Sequence, residues 1–241
     1  HRDLHSFPTR RSSDLKLYEE ERELPVRIFL DASESMTFGE PRKFNFARQV
    51  AAAIGYVALC GFDRVSLIPF PEDPAQAAAR GALRSVRGRK STMSFFQNIT
   101  RLAAAGPANL NEALRRGALE AKQTGLAVVL SDFLDPAGYE AGFSALVGRG
   151  FQVNAVQILA SEELNPSTYG DLRLVDAETG AVQEVTFGKF RLKAYQQTVQ
   201  NFCQRLREFC QARGIHFFSA SSDTALEQLL LKQLRQAEVW G

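Results

Sequence analysis

The sequence predicts an α/β fold in which a doubly wound, mainly parallel sheet carries helices on both of its faces. Short apolar runs alternate with longer runs of helical periodicity along most of the chain. The short runs are nearly continuous in apolar residues, which is typical of parallel strands that are covered on both sides. With 241 residues, 45% of them hydrophobic, the chain is long enough to bury one substantial core.

Each element has a local reason in the sequence. The stretch from Val26 to Asp31 is short, apolar and β-rich, so it predicts the first strand. Pro41 suits the start of the next helix, whose apolar residues recur every three or four positions until Gly61 ends it. The predicted strands cover 26–31, 64–70, 126–133, 151–159 and 215–221, and the predicted helices cover 41–62, 94–106, 109–125, 137–150, 193–214 and 222–240.

Three segments depart from this alternation. Residues 171–187 alternate apolar and polar on both sides of "AETG", which predicts a β-hairpin insertion near 171–188. Residues 71–90 are polar and interrupted by Pro and Gly, and they support at most a short strand. Residues 1–15, "HRDLHSFPTRRSSDL", lack periodicity and resemble translated sequencing-adaptor read-through, so we treat them as a non-native contaminant. Residues 16–241 are then expected to form a single domain of a protein truncated at its N-terminus.

Composition argues against several classes of protein. The net charge is +2, without the strongly basic balance of a nucleic-acid-binding protein. No apolar run reaches the roughly 18 to 20 residues that a membrane-spanning helix needs. Three cysteines, an odd number, do not indicate a disulfide framework, so we expect a reducing, cytoplasmic setting. No phosphate-binding loop, dinucleotide fingerprint, zinc cluster or Ser/His/Asp signature indicates an enzyme.

The clearest chemical signal is the stretch "LDASESM" at the end of the first strand. It places Asp31, Ser33 and Ser35 in one loop, and Asp132 follows a central strand. Carboxyl ends of parallel strands share one edge of a sheet, where ligands bind, so we expect these side chains to meet. Carboxylate and hydroxyl oxygens are the ligands that Mg²⁺ prefers. These residues are therefore compatible with a divalent metal site as well as with a helix cap. Because the serine hydroxyls are neutral, an ion bound there would stay electrophilic and could accept a carboxylate from an acidic partner.

Several segments resemble one protein family. The segments "ERELPVRIFLDASESM", "DRVSLIPF", "NLNEAL", "VVLSDF", "LRLVDAETG" and "RGIHFFSASSDTALEQLLLKQLR" are similar to the bacterial domain-of-unknown-function-58 family, from about Tyr18 to Leu234. That family is a branch of the von Willebrand factor type A fold. The resemblance implies a protein-interaction module with a MIDAS-like metal site and no enzymatic activity. It also implies a MoxR-type AAA+ ATPase as partner, in chaperone-like assembly, or an acidic ligand.

The resemblance has one gap at the expected metal site. The family pattern Gly-Gly-Thr-Asp-Leu supplies a third hydroxyl, but this chain reads "GPANL" at residues 106–110. Ala108 stands in the place of the threonine and has no side-chain oxygen, and the carbonyl of Asn109 is not equivalent. We therefore expect weakened Mg²⁺ binding. The residues to which the resemblance assigns the metal are Asp31, Ser33, Ser35 and Asp132.

Other interpretations of Asp31 stay open. The loop could be a polar turn that caps the following helix. A haloacid-dehalogenase-like phosphatase would use Asp31 as nucleophile, but it needs a second acid two residues on, where this chain has Ser33. A receiver-like phosphoacceptor or a metal-free structural scaffold is also compatible with aspartates at strand ends.

Overall fold

The computed structural model describes residues 23–71, 85–166, 170–175, 182–187 and 189–228. Within these residues, six strands form the main sheet and two more form a separate hairpin. The strands are β1 (Pro25–Asp31), β2 (Arg64–Phe70), β3 (Val86–Arg87), β4 (Leu126–Ser131), β5 (Gln152–Leu159), β6 (Gly170–Val175), β7 (Val182–Phe187) and β8 (His216–Ser221). The α-helices are α1 (Lys43–Cys60), α2 (Thr92–Arg101), α3 (Leu110–Leu119), α4 (Glu140–Arg149), α5 (Ser161–Leu164), α6 (Lys189–Gln211) and α7 (Leu226–Gln228).

The main sheet has the order β3-β2-β1-β4-β5-β8, and every neighbouring pair is parallel except β2 with β3. The central strand β1 pairs with β2 on one side and with β4 on the other. This arrangement confirms the predicted α/β class with a mainly parallel sheet. The antiparallel β3 is the short strand for which residues 71–90 carry only a weak sequence signal.

Helices cover both faces of the sheet because its strands are apolar on both sides. On β1, Ile28 and Leu30 pack on one face with residues of α1 and α2, and Phe29 packs on the other with residues of α3 and α4. All three side chains are fully buried. From α6, Leu206 and Cys210 join the second face. Full burial of a side chain of the Leu or Phe class contributes roughly 1.5 to 3 kcal/mol, so these two layers hold the strand ends firmly in place.

Helix α2 ends earlier than the sequence predicts. It stops at Arg101 rather than at Gly106, because Leu102 is extended and buried against the core. The chain then runs to the carboxyl edge of the sheet, where the N–H of Ala105 donates to the carbonyl of Ala32 at 2.8 Å. The predicted last turn of this helix is thus a connection that lies alongside the loop after β1.

Helix α3 is also shorter than predicted and ends at Leu119 instead of Gly125. The carbonyl of Gly125 accepts the N–H of Gln152 at 3.0 Å, so Gly125 already continues the pairing between β4 and β5 and is not helical. Helix α6 is shifted toward the N-terminus relative to the prediction of 193–214. It begins at Lys189 and ends at Gln211.

The predicted β-hairpin is present. Strands β6 and β7 pair antiparallel, from Gly170 with Phe187 to Val175 with Val182. The "AETG" turn lies outside the described residues, and so do residues 1–15 and the part of the predicted closing helix beyond residue 228. Among the described helices, none combines the length and the apolar character needed to cross a membrane.

Candidate metal centre

The predicted site lies where the chain changes direction across the sheet. Strand β1 ends at Asp31, and its neighbour β4 ends at Ser131, directly before Asp132. Leu30 pairs with Leu130 in parallel register, so the two aspartates emerge side by side at the carboxyl edge. From β1 the chain moves outward to β2 and β3, and it returns on the opposite side of β1 to form β4. Crevices at such switch points are the usual ligand sites of open parallel sheets.

The structure brings all four predicted residues into one hydrogen-bonded chain. The N–H and Oγ of Ser33 both donate to Asp31 Oδ1, at 2.9 and 2.6 Å. The hydroxyl oxygens of Ser33 and Ser35 lie 3.1 Å apart, and Ser35 Oγ donates to Asp132 Oδ2 at 3.1 Å. Both aspartates are 1% exposed, whereas Ser35 is half-buried. The site is therefore a buried oxygen cluster with a serine at its mouth.

Helix capping does not account for this loop. The segment Glu34–Thr37 forms a short 3₁₀ helix with Ser33 at its N-cap, yet the Ser33 side chain caps no backbone N–H of that helix. Its hydroxyl goes to Asp31 instead. Helix α1 starts later, with Arg42 at its N-cap. The serines of "DASES" therefore serve the carboxylates and not a helix terminus.

The loop that carries Ala108 lies against the loop after β1. The N–H of Glu34 donates to the carbonyl of Gly106 at 2.9 Å, and the N–H of Ala105 donates to that of Ala32 at 2.8 Å. These bonds place the "GPANL" segment beside the oxygen cluster, as the resemblance implies. At this position Ala108 contributes no side-chain oxygen.

Ser131, at the end of β4, and Asp135, in the loop after it, have different roles. Ser131 is buried, donates its hydroxyl to Asp31 Oδ2, and accepts the N–H of Phe133 at 2.9 Å. It therefore belongs to the site, although it is not among the residues predicted from the sequence motif. Asp135 accepts the N–H of Leu110 at 2.9 Å and so supports the start of α3. Asp135 is a structural residue of the turn.

Lys43 is the main site residue that the sequence analysis missed. Its side chain is 1% exposed, and its Nζ lies 2.7 Å from Asp132 Oδ2 and 2.7 Å from Glu163 Oε1. Glu163 is itself held at the start of α5, because its other oxygen accepts the N–H of Ala160 at 2.7 Å. Among residues 23–71, 85–166 and 191–228, whose side-chain burial the structure describes, Lys43 is the single buried cationic residue.

A sequence signal for Lys43 existed. Lys43, Ala47, Val50 and Ile54 recur at helical spacing, and all four are buried. A lysine in phase with an apolar stripe predicts a buried ammonium, which requires an acidic partner. Glu163 gave no comparable signal, because it lies in a helix of four residues.

The cluster carries more negative than positive charge. Burial, and then the negative charge of Asp132, raise the pKa of Asp31 to about 7, although hydrogen bonds from Ser131 and Ser33 oppose this. Burial acts to lower the pKa of Lys43, but the carboxylates of Asp132 and Glu163 outweigh it and the pKa lies above its ordinary value. Lys43 is therefore charged, and it pairs with two of the three carboxyl groups of the cluster, those of Asp132 and Glu163.

The donor set is of the kind that a hard divalent cation accepts. Carboxylate and hydroxyl oxygens suit Mg²⁺, and two of each converge here. In the described part of the chain, no three His, Cys, Asp or Glu side chains form a metal-binding group, so a cation would depend on the serine hydroxyls. Ala108 removes one further oxygen, and Lys43 already neutralises part of the charge on Asp132.

Three exposed apolar residues, which we call the apolar rim, lie in the loops next to the oxygen cluster. Phe38, in the loop after β1, is 50% exposed, and Leu134, in the loop after β4, is 45% exposed. Pro107, in the loop beside them, is exposed as well. The ring of Phe38 lies 6.0 Å from Lys43 Nζ. Exposed apolar side chains that lie near one another on a surface are a common feature of sites that bind other proteins.

This chain is similar to several curated proteins in sequence and to several solved structures in fold. Uncharacterized protein Rv1480 of Mycobacterium tuberculosis is 30% identical over 173 residues, which are 68% of this chain and 51% of the relative. The chain thus spans about half the length of the curated relatives it matches. The conserved hypothetical protein BatB from Bacteroides thetaiotaomicron is similar in structure, with a TM-score of 0.50, 14% identity, and coverage of 88% of this chain and 98% of that one.

A von Willebrand factor type A protein from Catenulispora acidiphila is 17% identical, with a TM-score of 0.43 over 56% of this chain and 33% of that one. The family model described as "Protein of unknown function DUF58" matches residues 9–203. That match begins inside residues 1–15, and the foreign origin of this segment stays a prediction, as does the single domain over 16–241. Because the family model matches most of the chain, the protein belongs to the DUF58 family.

Proposed function

We propose that this chain is a protein-interaction module that docks a partner on the carboxyl edge of its sheet, around Ser35. The observation that supports the proposal is the hydrogen-bonded chain from Asp31 to Asp132 at the switch point between β1 and β4. The rim residues Phe38 and Leu134 lie in the loops that carry these aspartates. Polar groups that can give specificity and apolar side chains that can give contact area thus lie on one surface, as in other protein-binding sites.

A divalent cation such as Mg²⁺ is part of this proposal. A bound ion would be held by Asp31, Ser33, Ser35 and Asp132, and it would supply an open coordination position for a carboxylate of an acidic partner. The half-buried Ser35 is the ligand nearest to solvent, so we expect it to mark the side from which the partner approaches.

The rim residues would supply much of the affinity. Burial of a Phe or Leu side chain contributes roughly 1.5 to 3 kcal/mol, and a few such anchors dominate most interfaces. Phe38 and Leu134 are about half exposed, so roughly half of that gain is available to a partner from each of them. We propose a MoxR-type AAA+ ATPase as that partner, in chaperone-like assembly in the cytoplasm, on the basis of the family resemblance.

Catalysis by Asp31 is not part of the proposal. A nucleophilic carboxylate must reach its substrate, yet Asp31 is 1% exposed and both of its oxygens accept hydrogen bonds from serines. The acid that a phosphatase of this type needs two residues on is replaced by Ser33, which is buried. A docking module that works without metal is a second candidate, and the ion pair between Lys43 and Asp132 favours it.

The test is binding to a purified MoxR-type ATPase encoded in the same genome, measured by biolayer interferometry in Mg²⁺ and in EDTA. We expect Phe38→Ala and Leu134→Ala each to weaken binding about tenfold, a loss of about 1.4 kcal/mol. Leu119→Ala is the matched control, because Leu119 is 83% exposed at the C-terminal end of α3, away from the carboxyl edge.

Equal losses for the rim variants and for Leu119→Ala would reject the carboxyl edge as the docking surface. Binding that is equal in Mg²⁺ and EDTA, and unaffected by Ser35→Ala, would support the metal-free module over the metal-dependent one. No binding of the wild-type chain would reject this partner.

A further inference from the structure

The ammonium of Lys43 lies on the oxygen that a bound cation would need. Asp132 Oδ2 accepts a hydrogen bond from Lys43 Nζ at 2.7 Å and another from Ser35 Oγ at 3.1 Å. An ion held by Asp132 and Ser35 together would approach this same oxygen. Magnesium binds its oxygen ligands at about 2.1 Å, so such an ion would stand within about 5 Å of Nζ.

Electrostatic repulsion opposes the binding of a metal ion next to the ammonium of Lys43. The side chains of Lys43 and Asp132 are 1% and 2% exposed, so little water screens the repulsion between an ammonium and a divalent ion. The long lysine side chain has a second acceptor, however, because Glu163 Oε1 also lies 2.7 Å from Nζ. Lys43 can therefore leave Asp132 and remain paired with Glu163.

We propose that Lys43 is a built-in competitor of the metal. In one state its ammonium bridges Asp132 and Glu163, and in the other it pairs with Glu163 alone while a divalent cation takes Asp132. This inference rests on the proposed cation site and adds the residue that sets its affinity. Lys43 neutralises part of the negative charge of the site when no metal is bound, and the cost of displacing it adds to the weakening that we expect from Ala108.

The test compares Mn²⁺ affinities by isothermal titration calorimetry. The main variant is Lys43→Met with Glu163→Gln, which removes the competing ammonium without changing the net charge of the cluster. We expect it to bind Mn²⁺ at least tenfold more tightly than the wild-type chain. Adding Asp132→Asn should abolish the gain, which shows that the ion sits on the oxygen that Lys43 vacated.

A matched control removes an ion pair far from the site. Arg64 pairs with Glu23 near the opposite edge of the sheet, and Arg64→Met with Glu23→Gln makes the same change of charge there. This control should leave the Mn²⁺ affinity unchanged. Lys43→Gln is the second variant, should the main one not fold, because glutamine can still donate a hydrogen bond to Asp132. It should also bind Mn²⁺ more tightly than wild type.

The outcomes separate this inference from the proposed function. Tight binding by both wild type and variants would overturn the competition but keep the metal-dependent docking module. No binding in wild type, with binding in the Lys43 variants, would support the competition and leave the native chain as a metal-free module. Absence of Mn²⁺ binding in every protein would overturn the inference, because Lys43 would not be what limits binding.

Discussion

Replacing Lys43 by methionine measures how much the buried ion pair holds the carboxyl edge together. The change removes two charge-assisted hydrogen bonds of 2.7 Å and leaves Asp132 with donors from Ser35 and Leu134 only. Removing one partner of a buried pair costs about 3 to 5 kcal/mol, and the two remaining donors to Asp132 place the cost at the lower end, about 3 kcal/mol. For a chain of this size that corresponds to a fall in Tm of about 6 to 12 °C.

A double-mutant cycle isolates the contribution of the pair. In the Lys43→Met background, Asp132→Asn removes the uncompensated charge, so the double variant should be more stable than the sum of the single effects by about 1 to 3 kcal/mol. The assay is urea unfolding followed by circular dichroism, in EDTA. Arg64→Met is the control, because its exposed pair with Glu23 should cost less than about 1 kcal/mol. Single effects that add to within about 0.5 kcal/mol would refute the reasoning.

Three further predictions concern packing, titration and the rim. Gly117→Ala should destabilise the fold by about 1 to 3 kcal/mol in urea unfolding, since its Cβ would lie 2.4 Å from the ring of Phe29. Burial raises the pKa of the Cys210 thiol to about 12, so the stability it contributes is complete below its unfolded pKa of about 8.5 and is lost as pH rises toward 12. Cys210→Ala should therefore flatten the fall in unfolding midpoint above pH 9. Phe38→Ala and Leu134→Ala should each change the free energy of unfolding by less than about 0.5 kcal/mol, which separates weakened binding from misfolding.

Most of the fold could be predicted from the spacing of apolar residues and from the continuous apolar character of the strands. The apolar runs predict strands that are buried on both faces, and Ile28, Leu30 and Phe29 occupy both faces as expected. The meeting of Asp31 and Asp132 was also predictable, because the carboxyl ends of parallel strands share an edge. The helix ends could not be predicted. Leu102 and Gly125 lie outside the helices because they make contacts across the sheet, and the local spacing of apolar residues carries no information about such contacts.

The site could be predicted only in part from the sequence. The motif identifies the residues that supply its oxygen atoms, but it does not identify the lysine and the glutamate that set its charge. Asp31 and Ser33 are two residues apart and interact locally, so a motif identifies them. Lys43 and Glu163 are 120 positions apart and meet only through the order of the strands. Sequence patterns within one element can indicate that Lys43 is buried, but they do not identify the carboxylates that receive it.

The two-residue strand β3 has a consequence for how this protein can associate. Among the residues that the structure describes, it closes one edge of the sheet with Val86–Arg87. It runs against the parallel direction, and Arg87 is exposed. Arg87 Nε donates to the carbonyl of Phe62 at 2.8 Å, and its Nη1 lies 3.5 Å from Glu23 Oε2. A short edge strand with a charged side chain is a poor template for intermolecular strand pairing. Aggregation by sheet extension is therefore disfavoured at this edge.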